Sequence, residues 1–453
     1  MVMVDTLISA RWIVPIIPEN QILENHSLII HEGRIKAILP TTDALQQYQP
    51  KKQVNVKNHA LMPGLVNAHA HSPMTLFRGL ADDLPLMEWL QNHIWPAEQA
   101  IINEESMADG TRLAALEMIR GGTTCFAENY FFHDITAKVI TEIGIRCSVG
   151  LLIIQVPTAW AKDEHEYFNK AQASLKSTPK HPLLHWSIAP HSPYMVSDFA
   201  LRQCQQIAEE FDIPIHLHLH ESESEIQQIL EKNKKRPIAH LADLGLLTPR
   251  LVGVHMVQLN DDDIAMISEA GVHIVHCPKS NMKLGNGLTK VTALLKRGLN
   301  VAIGTDGAAS NNALDMFEEL RTAALMAKVQ SSDVTSLPAA TALKMATYNG
   351  AKAFGLEKEI GSLEVGKAAD VIAVDLSHYF TQPIYNPISH LAYAVNRLQV
   401  SDVWIAGKHL LERGEFTSID VNAIINKASG WMEKAKPFSS RASSQVLNSS
   451  LTV

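Results

Sequence analysis

The sequence predicts an α/β fold, a (β/α)8 barrel of the TIM type with a small β-sandwich domain that both chain ends build. Eight short apolar runs alternate with longer amphipathic stretches between residues 61 and 360. Strand-like segments with turn signals flank that region, and no G-x-G-x-x-G follows the first run, which disfavours an open dinucleotide-binding sheet. We therefore expect the barrel at residues 61–360, the sandwich at 1–60 and 361–435, and a C-terminal tail at 436–453.

The eight apolar runs are the barrel strands, taken in chain order. Helix-like segments such as "NEESMADGTRLAALEMIRGG" and "SDFALRQCQQIAEEFD" separate them, so each strand reaches the next by a crossover and the sheet is parallel. The predicted strands are Gly64–Ala70, Thr123–Glu128, Arg146–Ile153, Leu184–Ala189, Pro214–His218, Leu251–His255, His273–His276 and Val301–Thr305.

The two chain ends resemble each other in pattern. "DTLISARWIVP" and "HSLIIHEGRIKAILP" alternate apolar and polar residues around a turn at Gly33, and "GSLEVGKAADVIAVDL" and "VSDVWIAGKHLLERGEF" do the same after Gly361. One shared domain beside the barrel explains both. The serine-rich tail from Lys436 is expected to be mobile or to pack on a neighbouring part.

Composition excludes several classes of protein. Of 453 residues, 46% are hydrophobic and 19% charged, and the net charge is −8, so no basic surface suits nucleic acid or an anionic membrane. No apolar run is long enough to span a bilayer, and the N-terminus lacks the pattern of a signal peptide. The four cysteines are scattered without a C-x-x-C pair. We expect a cytoplasmic protein without nucleic-acid or membrane partners.

Histidines and carboxylates recur where the predicted strands end. His69 and His71 close the first run and share one face by strand alternation. His255 and His276 end later runs, and His191, Glu221 and Asp306 come shortly after the ends of others. In a barrel of this type the functional groups lie at the carboxyl ends of the strands. Burying such side chains costs several kcal/mol unless they are paired, which favours a shared function over chance packing.

The residue types at the strand ends indicate a metal site. His69, His71, one histidine of the fifth strand and Asp306 make a nitrogen-rich set with one carboxylate, which suits Zn²⁺, with Fe²⁺ or Mn²⁺ as alternatives. On the fifth strand, "IHLHLHES" offers three histidines that share one face by alternation, His216, His218 and His220. Spacing does not choose among them, although proximity to the tip favours His220.

Four motifs carry a resemblance to a known family. "PGLVNAHAHSP", "HLHE", "HCPKSNMKLGNG" and "GTDGAASNN" resemble the metal-dependent amidohydrolase superfamily, and most closely its 5'-methylthioadenosine/S-adenosylhomocysteine deaminase branch, over nearly the whole chain. The resemblance implies one divalent metal per subunit, held by His69, His71, His218 and Asp306, because only His218 stands three residues before Glu221. Binuclear relatives carry a bridging lysine on the fourth strand, and "LLHWSIAPHSP" has none.

The resemblance also implies an activity, the hydrolytic deamination of an adenine nucleoside to its inosine analogue and ammonia. Glu221 would protonate the ring nitrogen, Asp306 would accept the proton of the attacking water, and His255 would orient that water. The implied substrate contacts are Trp89 against the nucleoside, Glu98 on the ribose hydroxyls, His191 near the 5' carbon, Glu221 on the ring, and Ser310 in the pocket.

The choice of nucleoside depends on the segment after the third strand. Relatives that accept S-adenosylhomocysteine place arginines there, whereas "LLIIQVPTAWAKDEHEYF" is apolar with Trp160 and offers only Lys162. A thioether methyl suits this segment better than a carboxylate, so the sequence favours 5'-methylthioadenosine, with S-adenosylhomocysteine or adenosine as alternatives.

Two rival interpretations remain at the sequence level. A guanine, oxidised-purine or triazine hydrolase of the same superfamily would keep the metal site and change the ring, and Glu98 and Trp89 argue against it. A scaffold that has lost catalysis would lack ligands that this sequence retains. Because members of the superfamily commonly self-associate, the resemblance also implies a homo-oligomer.

Overall fold

The computed structural model describes residues 1–439, and its centre is a barrel of eight strands. The strands neighbour one another in chain order and every recorded pair is parallel, as the crossovers predict. These strands are β5 (Leu65–Ala70), β6 (Thr123–Tyr130), β7 (Arg146–Ile153), β8 (Leu184–Pro190), β9 (Ile215–Leu219), β10 (Leu251–His255), β11 (His273–His276) and β12 (Val301–Ile303).

The barrel is nearly closed where β12 returns to β5. The Asp306 N–H donates to the His69 carbonyl at 3.0 Å, and the Thr305 N–H donates to the Asn67 side-chain oxygen at 2.9 Å. A Cβ at Gly304 would lie 2.7 Å from the His69 nitrogen, so only glycine allows this approach. The first and last strands are therefore joined at the end of the barrel where the strands finish, which we call the mouth.

The two chain ends build a second, mixed sheet of eight strands. Its order is β16-β15-β14-β13-β4-β1-β2-β3, so the N-terminal and C-terminal halves meet where β4 pairs antiparallel with β13. The strands form one hydrogen-bonded sheet where the sequence predicts a small sandwich. They are β1 (Val2–Ile13), β2 (Leu23–His31), β3 (Arg34–Pro40), β4 (Tyr48–Pro63), β13 (Val371–Asp375), β14 (Val400–Ile405), β15 (Lys408–Glu412) and β16 (Glu415–Phe416).

Helices fill the crossovers of the barrel, and the first helix of the chain packs instead on the second sheet. In chain order they are α1 (Thr41–Gln47), α2 (Leu86–Trp89), α3 (Trp95–Ile101), α4 (Glu104–Arg120), α5 (His133–Ile143), α6 (Glu164–Ser177), α7 (Asp198–Phe211), α8 (Glu223–Asn233), α9 (Pro237–Asp243), α10 (Asp261–Ala270), α11 (Pro278–Lys283), α12 (Val291–Lys296), α13 (Ala308–Asn311), α14 (Met316–Ser331), α15 (Ala339–Met345), α16 (Tyr348–Ala353), α17 (Pro387–Tyr393) and α18 (Val421–Ala435). Short 3-10 turns occupy Ser72–Phe77, Tyr379–Thr381, Arg397–Gln399 and Lys436–Phe438, and a π turn, Leu90–Ile94, links α2 to α3.

A buried ion pair joins the barrel to the second sheet. The Arg146 guanidinium at the start of β7 makes two parallel hydrogen bonds to the Asp370 carboxylate, both at 3.0 Å. Asp370 also accepts the Ala406 N–H at 2.8 Å, so it reaches the end of β14 as well. Paired bonds of this kind fix orientation as well as distance, and they set how the two parts of the molecule meet.

The C-terminal segment packs near the mouth. Phe438, in the 3-10 turn that follows α18, accepts a hydrogen bond from His93 at 2.7 Å through its carbonyl oxygen. Residues 440–453, which hold most of the predicted tail, lie outside the described part of the chain. Among residues 1–439, none of the helices combines the length and the apolar character that crossing a bilayer requires.

Candidate active site

Two histidines and a carboxylate meet at the mouth of the barrel. Asp306 Oδ1 lies 3.2 Å from His71 Nε2 and 3.4 Å from His69 Nε2. His69 is the last residue but one of β5, His71 follows that strand, and Asp306 follows β12. The predicted convergence of the first and eighth strands is thus present, because barrel closure places their ends side by side.

Two more histidines complete the cluster. One side-chain nitrogen each from His69, His218 and His255 lies within 4.8 Å of the other two, and the same limit holds for the ligand atoms of His69, His71 and Asp306. His69 belongs to both groups, so the five side chains surround one small volume. In residues 1–439 these are the two groups of ligand-type side chains that meet this criterion.

Hydrogen bonds on the far side of the rings decide which nitrogen faces the centre. The Nδ1 atom of His71 lies 2.6 Å from the Asn129 carbonyl, and that of His218 lies 2.8 Å from the His191 carbonyl. A carbonyl oxygen only accepts, so each Nδ1 carries the hydrogen and each Nε2 is left as the potential metal ligand. His255 Nδ1 is held in the same way by Asn281, at 2.9 Å.

His69 has a different partner. Its Nδ1 lies 3.1 Å from His216 Nε2, while its Nε2 is buried without a hydrogen bond. Leaving a buried nitrogen unpaired costs about 1–3 kcal/mol. An atom that binds at the centre of the cluster would remove this cost. Burial also lowers the pKa of His69 to about 3, so its imidazole is neutral, as a metal ligand must be.

The Asp306 carboxylate is held on both oxygens. Oδ1 accepts the Gly307 N–H at 2.8 Å, and Oδ2 accepts the hydroxyls of Ser280 at 2.6 Å and Ser310 at 2.9 Å. Burial alone would raise the pKa of Asp306, but the neighbouring imidazoles of His69 and His71 outweigh burial and hold the pKa well below its usual value. The group is therefore an anion, which suits a cation beside it.

The His71 ring carries a proton in the absence of a cation. Burial opposes the charge, but the hydrogen bond to Asp306 outweighs burial and raises the pKa of His71 to about 9. A divalent cation placed between the two would displace this proton, because a metal ligand must be deprotonated. The donor set therefore fits a divalent metal that prefers nitrogen ligands with one carboxylate.

Glu221 lies beside His255, beyond the end of β9. Its Oε1 is 3.8 Å from His255 Nε2 and accepts the Asn286 side-chain N–H at 3.0 Å. The backbone around it is fixed by Glu225, whose two oxygens accept the N–H groups of His220 and Glu221 at 2.9 and 2.8 Å. The structure thus brings the expected acid to the rim of the histidine cluster.

His220 does not share the face of His216 and His218, although strand alternation predicts that it does. β9 ends at Leu219, and the backbone of His220 turns into the left-handed region with φ +54°. Its ring leaves the mouth, with Nδ1 3.0 Å from the Gln258 carbonyl and Nε2 accepting the Ile238 N–H at 3.2 Å. The tip argument that favours His220 is therefore wrong: this residue is outside the strand, and alternation no longer applies to it.

The predicted substrate residues lie on segments that cover the mouth. Trp89 ends α2, is buried, and donates its indole N–H to the Ala81 carbonyl at 2.9 Å. Glu98 of α3 accepts the hydroxyl of Tyr130, the last residue of β6, and burial raises the pKa of Glu98 to about 7. The ring centre of His191 is 4.8 Å from that of His218, and burial lowers the pKa of His191 to about 4.

A model of the amidohydrolase family matches residues 60–410. The chain belongs to the amidohydrolase family. A relative from Teredinibacter turnerae, named 5-methylthioadenosine/S-adenosylhomocysteine deaminase, is 43% identical over 431 residues, which are 95% of this chain and 98% of the relative. A similarly named relative from Saccharophagus degradans is 42% identical over 95% of this chain and 96% of its own length.

Solved structures resemble this amidohydrolase over nearly its whole length. A crystal structure of an adenosine deaminase from Xanthomonas campestris with bound zinc is 48% identical, covers 96% of this chain and 99% of its own, and superposes with a TM-score of 0.95. The guanine deaminase of E. coli is 21% identical with a TM-score of 0.82, covering 90% of this chain and all of its own, so it shares the fold.

The sequence patterns do not predict several residues around the site of this amidohydrolase. Asn67 of β5 accepts the Thr305 N–H just after β12, and Asn281 and Asn286 hold His255 and Glu221. Polar residues inside the quoted motifs, the asparagines of "LVNAH" and "SNMKLGNG", could have indicated them. Ser310, expected in the substrate pocket, lies with its hydroxyl on Asp306, and this contact favours a supporting position.

Proposed function

We propose that this amidohydrolase removes the amino group of an adenine nucleoside by hydrolysis, producing the inosine analogue and ammonia. The observation that carries the proposal is the joint position of the donor set and Glu221. His69 belongs to two groups of three ligand-type side chains at the barrel mouth, and the Glu221 carboxyl group lies 3.8 Å from His255, a member of one of these groups. The names of relatives that are 42–48% identical over nearly the whole chain support the same reaction.

We propose that His69, His71, His218 and Asp306 hold one divalent cation. Zinc is the proposed ion, because three neutral imidazoles and one carboxylate match its usual ligands, with Fe²⁺ and Mn²⁺ as alternatives. A cation held there would lower the pKa of a water molecule and make hydroxide available at neutral pH. The zinc in the Xanthomonas campestris structure supports this choice.

The side chains at the mouth then divide the proton transfers. Glu221 gives a proton to the ring nitrogen beside the amino-bearing carbon, which makes that carbon more electrophilic. Asp306 takes a proton from the attacking water and passes it to the departing amine. His255, held by Asn281 through Nδ1, directs Nε2 at the water and stabilises the charge that develops. Over one turnover, the two protons of water end on the ring nitrogen and on ammonia.

We propose that the covering segments recognise the nucleoside. Trp89 would lie against it. Glu98 would accept hydrogen bonds from the two ribose hydroxyls once the Tyr130 hydroxyl releases the Glu98 oxygen to which it donates. His191, next to His218, would face the 5' carbon. A site built to bind vicinal hydroxyls rejects a ligand that lacks them, so free bases should be poor substrates.

We predict a preference for 5'-methylthioadenosine over S-adenosylhomocysteine. Trp160, the aromatic residue of the segment after β7, packs with its ring centre 4.8 Å from that of Phe132 and 5.2 Å from that of His133. This aromatic surface suits a methyl group. The cation beside it, the Lys170 ammonium 4.1 Å from the centre of the Trp160 ring, already donates to the Trp160 carbonyl and pairs with Glu166 at 3.3 Å, so a carboxylate would have to compete for it. The ratio of kcat/KM for the two compounds measures the preference, and a higher value for S-adenosylhomocysteine would contradict it.

A panel of adenine nucleosides, guanine and a triazine tests the proposed reaction. The metal-loaded protein should release ammonia from the adenine nucleosides and convert their ultraviolet spectrum to that of the inosine analogue. Ammonia from guanine alone, or dechlorination of the triazine, would favour a rival amidohydrolase. No turnover of any member by metal-loaded protein would favour a scaffold without catalysis.

We also propose that the protein acts in the cytoplasm and that it forms a homo-oligomer. The four cysteines are buried free thiols, which suits a reducing compartment. Size-exclusion chromatography with light scattering tests the assembly, and a monomer at working concentrations would contradict it. The division into a barrel at 61–360 and a second domain at 1–60 and 361–435 remains part of this proposal.

A further inference from the structure

The loop Leu284–Gly287, "LGNG", has no role in the proposed reaction, yet it touches the proposed acid. Asn286 is 8% exposed, and its side-chain Nδ2 donates to Glu221 Oε1 at 3.0 Å. The same oxygen faces His255 Nε2 at 3.8 Å. One oxygen of Glu221 is therefore occupied on the protein side, and Oε2 has neither of these two contacts.

The loop backbone is arranged to hold this side chain in place. Gly285 and Gly287 flank Asn286 with φ angles of +68° and +108°, which are strained for residues with a Cβ. The Asn286 N–H donates to the Asn281 carbonyl at 2.9 Å, and its carbonyl accepts from the Gln258 side chain at 2.6 Å. The backbone N–H and carbonyl of Asn286 therefore both have partners nearby, and its side-chain amide donates to Glu221.

We propose that Asn286 is a positioning residue that decides which oxygen of Glu221 carries the transferred proton. An oxygen that accepts an N–H from Asn286 is disfavoured as the O–H oxygen, so the proton resides on Oε2. This inference rests on the proposed deamination, in which Glu221 is the acid. Asn286 acts through Glu221 and needs no contact with the substrate.

The proton transfer then has a defined course. The O–H bond at Oε2 breaks as the new N–H bond forms on the ring nitrogen, and the carboxylate that results keeps the Asn286 N–H on Oε1. A hydrogen bond to an ionised carboxylate is stronger than one to the neutral acid, so Asn286 stabilises the state after transfer. A proton from the attacking water restores Glu221 before the next turnover.

The first test compares two replacements with different chemistry. Asn286→Ala removes the donor and should lower kcat about 10- to 100-fold while KM changes little. Asn286→Asp keeps the size but replaces the donor with an acceptor, and kcat should fall at least as far. Wild-type kcat in the aspartate variant would overturn the inference, since the side chain would then act by filling space or by accepting the proton of Glu221.

A double-mutant cycle separates this role from a structural one. If Asn286 acts through Glu221, Asn286→Ala should cost nothing further once Glu221 is replaced by Gln. Independent losses that multiply would overturn the inference. Leu288→Ala, a change at a partly exposed neighbour in the chain, is the matched control and should keep wild-type kcat. All variants should retain the wild-type metal content.

The results for the Glu221 and Asn286 variants separate a failure of this inference from a failure of the proposed deamination. Wild-type turnover in Glu221→Gln would remove Glu221 as the acid, and the proposed function would fail with it. A collapse of turnover in Glu221→Gln, together with wild-type kcat in Asn286→Ala, would leave the deamination intact and overturn only the role of Asn286.

Discussion

At the mouth of the barrel, the oxygen atom that binds Nδ1 of a histidine decides which ring nitrogen is left to face the centre of the site. His71 and His218 direct Nε2 at the centre because backbone carbonyls hold Nδ1, and His255 does so because of Asn281. The sequence predicts His71 and His255 from their place at the ends of apolar runs, and His218 from the family resemblance. It does not predict their hydrogen-bond partners, because those depend on how separate strand ends meet. His220 shows the same limit, since a left-handed turn removes it from the mouth.

Replacing a proposed ligand tests the site at this scale. His218→Ala should lower the metal content of the purified protein well below one ion per chain, because it removes an imidazole whose ring is already fixed by the His191 carbonyl. Elemental analysis measures it. His273→Ala is the matched control, since His273 begins β11 at the opposite end of the barrel. Equal metal content in both variants would contradict the assignment of His218.

Glu319 on α14 provides a pH test with a defined sign. Its side chain is buried, accepts the Asn311 side-chain N–H at 2.7 Å, and has a pKa raised to about 8 by burial. The folded state therefore keeps a proton that the unfolded chain releases near its ordinary value of 4.5. The stabilisation is fully present below that value and is lost as pH rises through about 8.

Glu319→Gln should remove this pH dependence. A glutamine resembles the protonated acid, so the variant should match wild type near about pH 5 and unfold at higher denaturant concentration near about pH 8. Urea unfolding at the two pH values measures the difference. A variant that loses as much stability as wild type between them would contradict the raised pKa.

At the scale of elements, the barrel strands are the part that the sequence predicts best. The bounds of β7, β10 and β11 match the prediction. Short apolar runs mark the strands, and the amphipathic helices between them show that successive strands run in the same direction. The second sheet is less predictable. Its middle pair joins β4 to β13, more than 300 residues apart, and local pattern carries no information on such pairing.

The Arg146–Asp370 pair makes the contact between these elements testable. Both side chains are at most 3% exposed, so Arg146→Ala would leave a buried carboxylate without its charge partner. We expect a loss of about 3–5 kcal/mol in the free energy of unfolding, measured by denaturant titration.

An exposed pair provides the control for that measurement. Arg34 and Glu359 lie 3.0 Å apart with side chains 53% and 42% exposed, and Glu359→Gln should cost less than about 1 kcal/mol. Equal losses in the two variants would show that the Arg146–Asp370 pair does not fix how the barrel and the sheet meet.

At the scale of the whole molecule, both chain ends close one sheet beside a barrel whose mouth gathers side chains from distant positions. His69 and Asp306 are 237 residues apart in the chain and 3.4 Å apart in space. The motifs and their order predict this gathering because a parallel barrel aligns all strand ends. The covering segments and the turns that orient Glu221 depend on packing, which the sequence patterns do not specify.

Ammonia release from 5'-methylthioadenosine, measured before and after metal removal, tests the central claim most directly. We predict that protein stripped by a chelator releases none, and that adding back about one equivalent of Zn²⁺ per chain restores the rate. Release at the full rate by metal-free protein, or none by protein that has regained its metal, would contradict a mouth in which one cation and Glu221 act together on an adenine ring.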